Sequence, residues 1–258
     1  MSPTPTPTPR IALITGGSRG LGRDTALRLA EHGVDVILTY HGNEAAAQAV
    51  VRAIEAGGRR AVALRLDVGD SGSFAAFAAR VKDVLATTWQ REQLDILVNN
   101  AGTGVHASFA DTTEAQFDEL FRVHLKGTFF LTQALLPLVA DGGRILNTSS
   151  GLARFALPGY SAYAAMKGGI EVLTRYLAKE LGPRRIAVNT IAPGAIATDF
   201  GGGTVRDNAQ VNAHVAGLIA MGRVGEPGDI GGAVAALLAE GTGWMTGQRI
   251  EVSGGQLI

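Results

Sequence analysis

Seven short apolar runs of strand length punctuate the chain: IALIT (11–15), VDVILT (34–39), RAVALRL (60–66), LDILVN (94–99), GRILNTS (143–149), RIAVNTIA (185–192) and QRIEVS (248–253). Between them lie Ala- and Leu-rich segments with helical spacing, such as LGRDTALRLAEHG and GDIGGAVAALLAEG. Gly33 and Gly57 stand at helix ends, where a left-handed residue is often needed. Several of the runs are apolar on both faces, as in parallel sheets covered by helices on each side. Alternation of strand and helix along the whole chain predicts a doubly wound α/β fold. No linker and no internal repeat interrupts it, so residues 10–258 read as one domain. The opening MSPTPTPTPR alternates Pro and Thr, which cannot form a helix and offers nothing to bury, so residues 1–9 read as a disordered tail.

Composition narrows the function classes. Of 258 residues, 46% are hydrophobic and 18% charged, enough apolar material for a sizeable core. Lys+Arg and Asp+Glu both number 23, and no basic block is present. That argues against a nucleic-acid or membrane-surface partner. With no cysteine, disulfides, thiolate zinc sites and cysteine nucleophiles are excluded, and no metal site is expected. No apolar run approaches the roughly 18 residues of a membrane-spanning helix. The N-terminus lacks the apolar core of a signal peptide. A cytoplasmic location is the resulting expectation.

The first strand leads into TGGSRGLG (15–22) and then a helix. Gly16, Gly20 and Gly22 allow a sharp turn and close approach of backbone to a pyrophosphate, and the helix N-terminus supplies free N–H groups. Placed between a first strand and a first helix, this loop, with Ser18, Arg19 and Leu21, reads as a dinucleotide phosphate site. The second strand ends in LTYHGN, without the acidic residue that would bind the ribose 2′-hydroxyl of NAD. Thr39, Tyr40 and His41 occupy that region, while Arg19 is placed to meet a 2′-phosphate. Both features favour NADP(H).

LPGYSAYAAMKGG (157–169) contains two tyrosines and one lysine. On the helix predicted over 160–181, Lys167 is four residues after Tyr163, which puts the pair on one face with Cβ atoms about 5–6 Å apart. Tyr160 is seven residues away, about 10 Å along the axis, and follows Pro158 and Gly159 at a frayed start. Lys167 therefore serves Tyr163. A cation there favours the phenolate and lowers a tyrosine pKa of about 10. ILNTSS ends the preceding strand, and Ser150 stands at the sheet edge where α/β folds place ligands.

Together, the glycine loop, NNAG (99–102), the serine, Y-x-x-x-K and the Pro-Gly at 193–194 resemble the short-chain dehydrogenase/reductase family, over essentially residues 10–258 and with similarity to 3-oxoacyl-(acyl-carrier-protein) reductase-like members. The resemblance implies a Rossmann-type sheet of seven parallel strands with helices on both faces. It implies NADPH-dependent hydride transfer between nicotinamide and a ketone or secondary alcohol. Tyr163 would be the general acid/base, Lys167 its electrostatic partner and holder of the nicotinamide ribose, and Ser150 the group orienting the substrate oxygen. Asp67 and Val68 would flank the adenine. Asn100, Ala101 and Gly102 would line the cofactor, with Asn99 tying strands together. Pro193, Gly194, Ile196 and Thr198 would contact the nicotinamide end. A homotetramer packed through helices 113–140 and 160–182 and the C-terminal segment is also implied.

One position departs from the family's pattern. RVHLKGTFF (122–130) carries His124 where the family usually has a catalytic asparagine that helps hold a proton-relay water. Histidine donates, accepts and charges near neutral pH, so the relay is preserved, altered or lost; alternatively the ring simply packs at a helix bend. A charged imidazole would repel Lys167. If the relay is lost, the chain is an NADP-binding sensor or scaffold without turnover. Near the end, Ser253 stands where the family often has aspartate. Residues 199–221 combine a glycine run with a polar helical stretch, as in a mobile lid, and Phe155, Tyr160 and Phe200 offer an apolar wall. The substrate stays open among simple ketones, 3-oxoacyl thioesters, sugars and polyketides.

Overall fold

The computed structural model describes residues 9–258; the proposed tail falls almost wholly outside them. All seven expected strands form: β1 (Ile11–Ile14), β2 (Asp35–Tyr40), β3 (Ala61–Arg65), β4 (Leu94–Asn99), β5 (Val139–Thr148), β6 (Ala187–Pro193) and β7 (Arg249–Val252). They make one sheet in the order β3-β2-β1-β4-β5-β6-β7, parallel throughout. The strand order reverses between β1 and β4, and ligands of open α/β sheets bind outside the strand C-termini at such a switch point.

Alternation along β1 explains the two-sided core. Ala12 and Ile14 face one cluster, with Leu29 of α1 (Gly20–Glu31), Val50 of α2 (Glu44–Ala56) and Val234 of α9 (Pro227–Leu237). Ile11 and Leu13 face the other, with Phe77 of α3 (Phe74–Val84), Leu131 of α5 (Gly127–Leu135) and Ala178 of α6 (Ser161–Leu181). Successive strand residues point to opposite faces, so a sheet buried on both sides needs apolar residues at every position.

Two elements differ from the periodicity reading. β5 starts at Val139, four residues before GRILNTS, through Ala140, the polar Asp141 and Gly142. The helix expected over 113–140 is divided into α4 (Glu114–Leu120), a π-helical turn (Phe121–Lys126) and α5, followed by a 3₁₀ turn. At the join, a Cβ on Gly127 would lie 2.3 Å from the Val68 carbonyl oxygen and 2.9 Å from that of Arg122. The helix thus widens where it presses on the loop after β3, and π-turns of this kind cluster at functional sites.

Polar side chains also run through the sheet. Asn99 Nδ2 donates to Asn147 Oδ1 of β5 (2.8 Å) and to Thr132 Oγ1 of α5 (2.9 Å). Asn147 Nδ2 donates to Thr174 Oγ1 of α6 (2.9 Å), which also accepts from Thr190 Oγ1 of β6 (2.7 Å). All five residues are buried. Asn99 thus ties strands together as expected. Removing one member orphans its neighbours, each at about 1–3 kcal/mol. Asn147→Ala is therefore expected to destabilise the protein by about 2–4 kcal/mol, read as a lower urea midpoint at unchanged slope. A midpoint equal to the parent's would show the relay to be energetically idle.

Candidate active site

The phosphate loop is braced from two neighbouring strand ends. Thr15 Oγ1 accepts from the backbone N–H groups of Asn100 and Ala101 (2.9 Å each), and Asn100 Nδ2 donates to the Thr15 carbonyl (2.9 Å). Thr39 takes the loop from the β2 side, through Gly16 N to its Oγ1 (3.1 Å) and Gly17 N to its carbonyl (2.8 Å). Gly22 has no alternative: a Cβ there would sit 2.3 Å from the Gly16 carbonyl oxygen and 2.5 Å from Asn100 Nδ2. At the α1 N-terminus, Arg19 is extended, no side chain caps the free N–H groups, and no acidic residue occupies the first turn. Such an end is open to an anion. These features fit the pyrophosphate of a dinucleotide.

The other cofactor candidates gather along the same edge. His41, after β2, and Asp67, after β3, are both exposed and approach to 3.7 Å, while Tyr40 is buried beneath them. Val68 presses its carbonyl on Gly127. Gly102 abuts His124, since a Cβ on it would be 2.7 Å from the His124 ring. Gly194, after Pro193 at the end of β6, packs on Ser253, and Ile196 bridges to Gly225. Thr198 is buried, its hydroxyl accepting from Phe200 N (3.2 Å). Ser18 and Leu21 lie half-buried within the loop. Arg19 points outward and pairs with Asp199 at 2.6 Å.

Tyr163, Lys167 and Ser150 come together at the end of β5. Tyr163 and Lys167 are both buried on α6, with Lys167 Nζ 5.6 Å from the Tyr163 ring centroid. Tyr160 forms the helix N-cap and packs edge-on against His106 instead (4.9 Å). Lys167 Nζ donates to the Thr148 carbonyl (2.7 Å). Ser150 Oγ accepts from Leu152 N (3.2 Å), which leaves its own proton for another acceptor.

Burial, rather than the lysine, dominates the protonation of this pair. It raises the Tyr163 phenol well above its ordinary value, with the Ser150 hydroxyl working the other way. It pushes Lys167 down to about 7. The lysine-driven lowering of Tyr163 expected from the sequence is therefore reversed. The physical reason is desolvation, which penalises phenolate and ammonium alike.

His124 sits in the π-turn, buried, with its ring perpendicular to that of Tyr163 at 5.2 Å between centroids. Its Nε2 lies 2.7 Å from the Thr103 carbonyl and 3.3 Å from the Thr103 backbone N, so Thr103 holds it in either tautomer; Nδ1 is buried with no partner. Burial first, and Lys167 second, hold its pKa down to about 3. The ring is neutral at physiological pH, so the charged imidazole considered from the sequence does not arise.

Phe200 completes the mouth, 5.7 Å from Tyr163 and packed on Gly104. Phe155 packs on Gly151. The segment after Asp199 begins with Gly201, Gly202 and Gly203, all at positive φ, followed by α7 (Thr204–Asp207) and α8 (Ala209–Ala216). Sequence reasoning passed over the bracing roles of Thr15 and Thr39. It also passed over Gln256, whose buried Oε1 accepts from Ala195 N (3.0 Å) and so supports the turn after β6. No motif signals these, because each partner is far away in the chain. Among the described residues, no cluster of three or more His, Cys, Asp or Glu is placed to hold a metal, and no helix is long and apolar enough to cross a membrane.

The family model described as Enoyl-(Acyl carrier protein) reductase matches residues 16–256. Among solved structures, the promiscuous reductase LugOII, described as catalysing keto-reduction at C1 during lugdunomycin biosynthesis, superposes with a TM-score of 0.92 at 41% identity, covering 97% of this chain and 99% of that one. The angucycline C-6 ketoreductase LanV, with bound NADP, superposes with a TM-score of 0.91 at 36% identity over 96% and 95% of the two chains. Versicolorin reductase 1 of Aspergillus parasiticus is 35% identical over 95% of each chain. The chain belongs to the short-chain dehydrogenase/reductase family of oxidoreductases.

Proposed function

We propose that this protein is an NADPH-dependent ketoreductase acting on a planar, polyketide-like aromatic ketone. One observation carries the reading: a buried, protonated tyrosine stands beside a serine hydroxyl and a buried lysine at the C-terminal end of the central sheet. The named activities of LugOII, LanV and versicolorin reductase support the ketone and NADP, and the aromatic walls of Phe155, Tyr160 and Phe200 support a flat substrate.

The cofactor, when bound, supplies hydride to the carbonyl carbon. The chain's residues handle the oxygen. Ser150 donates a hydrogen bond to it, and Tyr163 delivers the proton that turns the developing alkoxide into the alcohol. A phenol held neutral is the form that protonates, so the site is poised for reduction. Lys167, fixed through Thr148, keeps donors free beside the phenolate that remains and for the nicotinamide ribose. Asn100, Ala101, Gly102, Pro193, Gly194, Ile196 and Thr198 would hold the nicotinamide half, and Asp67, Val68, Tyr40 and His41 the adenosine half. Arg19 would turn from Asp199 to a 2′-phosphate; an exposed ion pair holds it by only about 0–1 kcal/mol. His124 positions the 103–106 loop beside Tyr163 through Thr103. A cytoplasmic location, a single domain over 10–258 and a homotetramer complete the proposal, the last supported by exposed Phe117, Phe121, Phe129, Phe130 and Tyr176 on the helices after β4 and β5.

The decisive experiment is NADPH oxidation with a panel of aromatic polyketide-type ketones, simple ketones and 3-oxoacyl thioesters. Turnover is expected with the aromatic group, and Tyr163→Phe should lower it by at least about 10²-fold. Tight NADPH binding without turnover across the panel would instead establish the sensor reading. Arg19→Ala should cut the preference for NADPH over NADH by about ten- to a hundredfold, the worth of a charge-assisted phosphate contact. An unchanged ratio would remove Arg19 from the cofactor site. His124→Asn should change kcat by less than about tenfold and leave the acid limb of the pH profile in place, because the imidazole is already neutral there.

Lys167 provides a test independent of substrate. Its pKa lies at about 7 in the folded protein against 10.5 for the free group. The cost of burying the ammonium is therefore fully present below pH 7 and is relieved as pH rises towards 10.5. Lys167→Met should stabilise the fold at pH 6 by up to about 4–5 kcal/mol, with the gain shrinking steadily through that window. A pH-independent difference in unfolding free energy would overturn the assignment.

A further inference from the structure

Three consecutive residues at the end of β5 each hold something near the reaction centre. The Thr148 carbonyl receives Lys167, and Ser150 presents the hydroxyl. Ser149, buried between them, directs its hydroxyl to Glu171 Oε1 of α6 (2.7 Å). Such a strand end is free to shift once its ladder ends, yet a hydroxyl displaced by about 1 Å costs on the order of 10²-fold in rate. Something must fix it from the side away from the substrate.

Arg249 of β7 occupies that side. Its Nη2 donates to the Ser150 carbonyl (3.2 Å), and its Nε donates to Glu171 Oε1 (2.6 Å), the same oxygen that receives Ser149. Its Nη1 donates to Glu251 Oε2 (2.8 Å). Glu251 is in turn held by Arg154 in a two-pronged pair (2.7 Å each), and Arg154 also reaches the Gln256 carbonyl (2.7 Å). Each of the three guanidinium nitrogens is therefore engaged, and the fork joins the end of β5, α6 and β7. Arg249, Glu171 and Glu251 are each less than a quarter exposed, so the pairs are shielded from salt more than surface pairs are.

We propose that Arg249, acting with Glu171, is a positioning residue that sets the Ser150 hydroxyl for catalysis from the far edge of the sheet. This rests on the role given to Ser150 above. A planar fork holding a backbone carbonyl and a carboxylate at once is a task lysine cannot duplicate and an amide performs only in part. The influence reaches the substrate oxygen through Ser150, and Arg249 touches none of the proposed cofactor contacts.

The test is a double-mutant cycle. Arg249→Gln is expected to lower kcat about tenfold, with the KM of the ketone and the dissociation constant of NADPH each changed by less than about threefold. Arg249→Lys should recover part of the loss through Glu171. In a Ser150→Ala background, measured by single turnover, Arg249→Gln should cost no more than about twofold further. A full-activity Arg249→Gln enzyme would overturn the proposal. So would an equal loss with and without Ser150, which marks a general structural role. Should Arg249→Gln fail to fold, Glu171→Gln, which keeps shape and hydrogen-bonding atoms, is expected to give a smaller loss with the same dependence on Ser150; no dependence overturns the proposal. A Ser150→Ala enzyme with normal turnover would instead refute the reading of Ser150 itself.

Discussion

The buried relay from Asn99 through Asn147 to Thr174 and Thr190 is the constraint on which the site hangs. A parallel sheet covered on both faces has no water with which to satisfy polar side chains, so each member must find another. The relay joins β4, β5 and β6 to α6 at one rotation of the helix. Thr174 lies seven residues after Lys167 and eleven after Tyr163, on the same stripe of α6. The bond that satisfies Asn147 therefore also aims the tyrosine and lysine at the end of β5. Slipping the helix by one residue would break the relay and turn both side chains away.

Placed there, the two ionisable groups are governed by desolvation. Burial favours a neutral phenol and a weakly basic amine, and the same burial keeps His124 uncharged. The interior thus keeps the phenol and the imidazole neutral and leaves Lys167 titrating at about 7, which suits a reaction whose charge appears only as hydride reaches carbon. His124 extends this logic. Held on the Thr103 backbone, it orders the loop facing Tyr163 while adding no positive charge beside Lys167.

Much of this was legible in the linear pattern, for identifiable reasons. Strands buried on both faces announce themselves as unbroken apolar runs, and the four-residue spacing of Tyr163 and Lys167 follows from helical geometry alone. The early start of β5 was hidden because Asp141 and Gly142 carry no strand signal; the pairing of Val139 with Leu94 of β4 imposes it. The break in the helix over 113–140 was hidden because it arises where Gly127 meets Val68, a contact between distant segments. Thr15, Thr39, Gln256 and Arg249 support the site through partners 23 to 99 residues away, as in Gly16–Thr39 and Ser150–Arg249. The protonation of Tyr163 and His124 required knowing their burial, which a sequence pattern states only for apolar residues.

β7 is an outermost strand, and an unpaired sheet edge is a template on which another chain can continue the ladder. Here that strand is only four residues long, and Arg249 and Glu251 are two of the four. Both charges are tied sideways to each other and to Arg154 and Glu171. A second strand docking on this edge would have to lie across a row of paired charges within a very short register. The arrangement disfavours continuation of the sheet by a foreign strand at this edge.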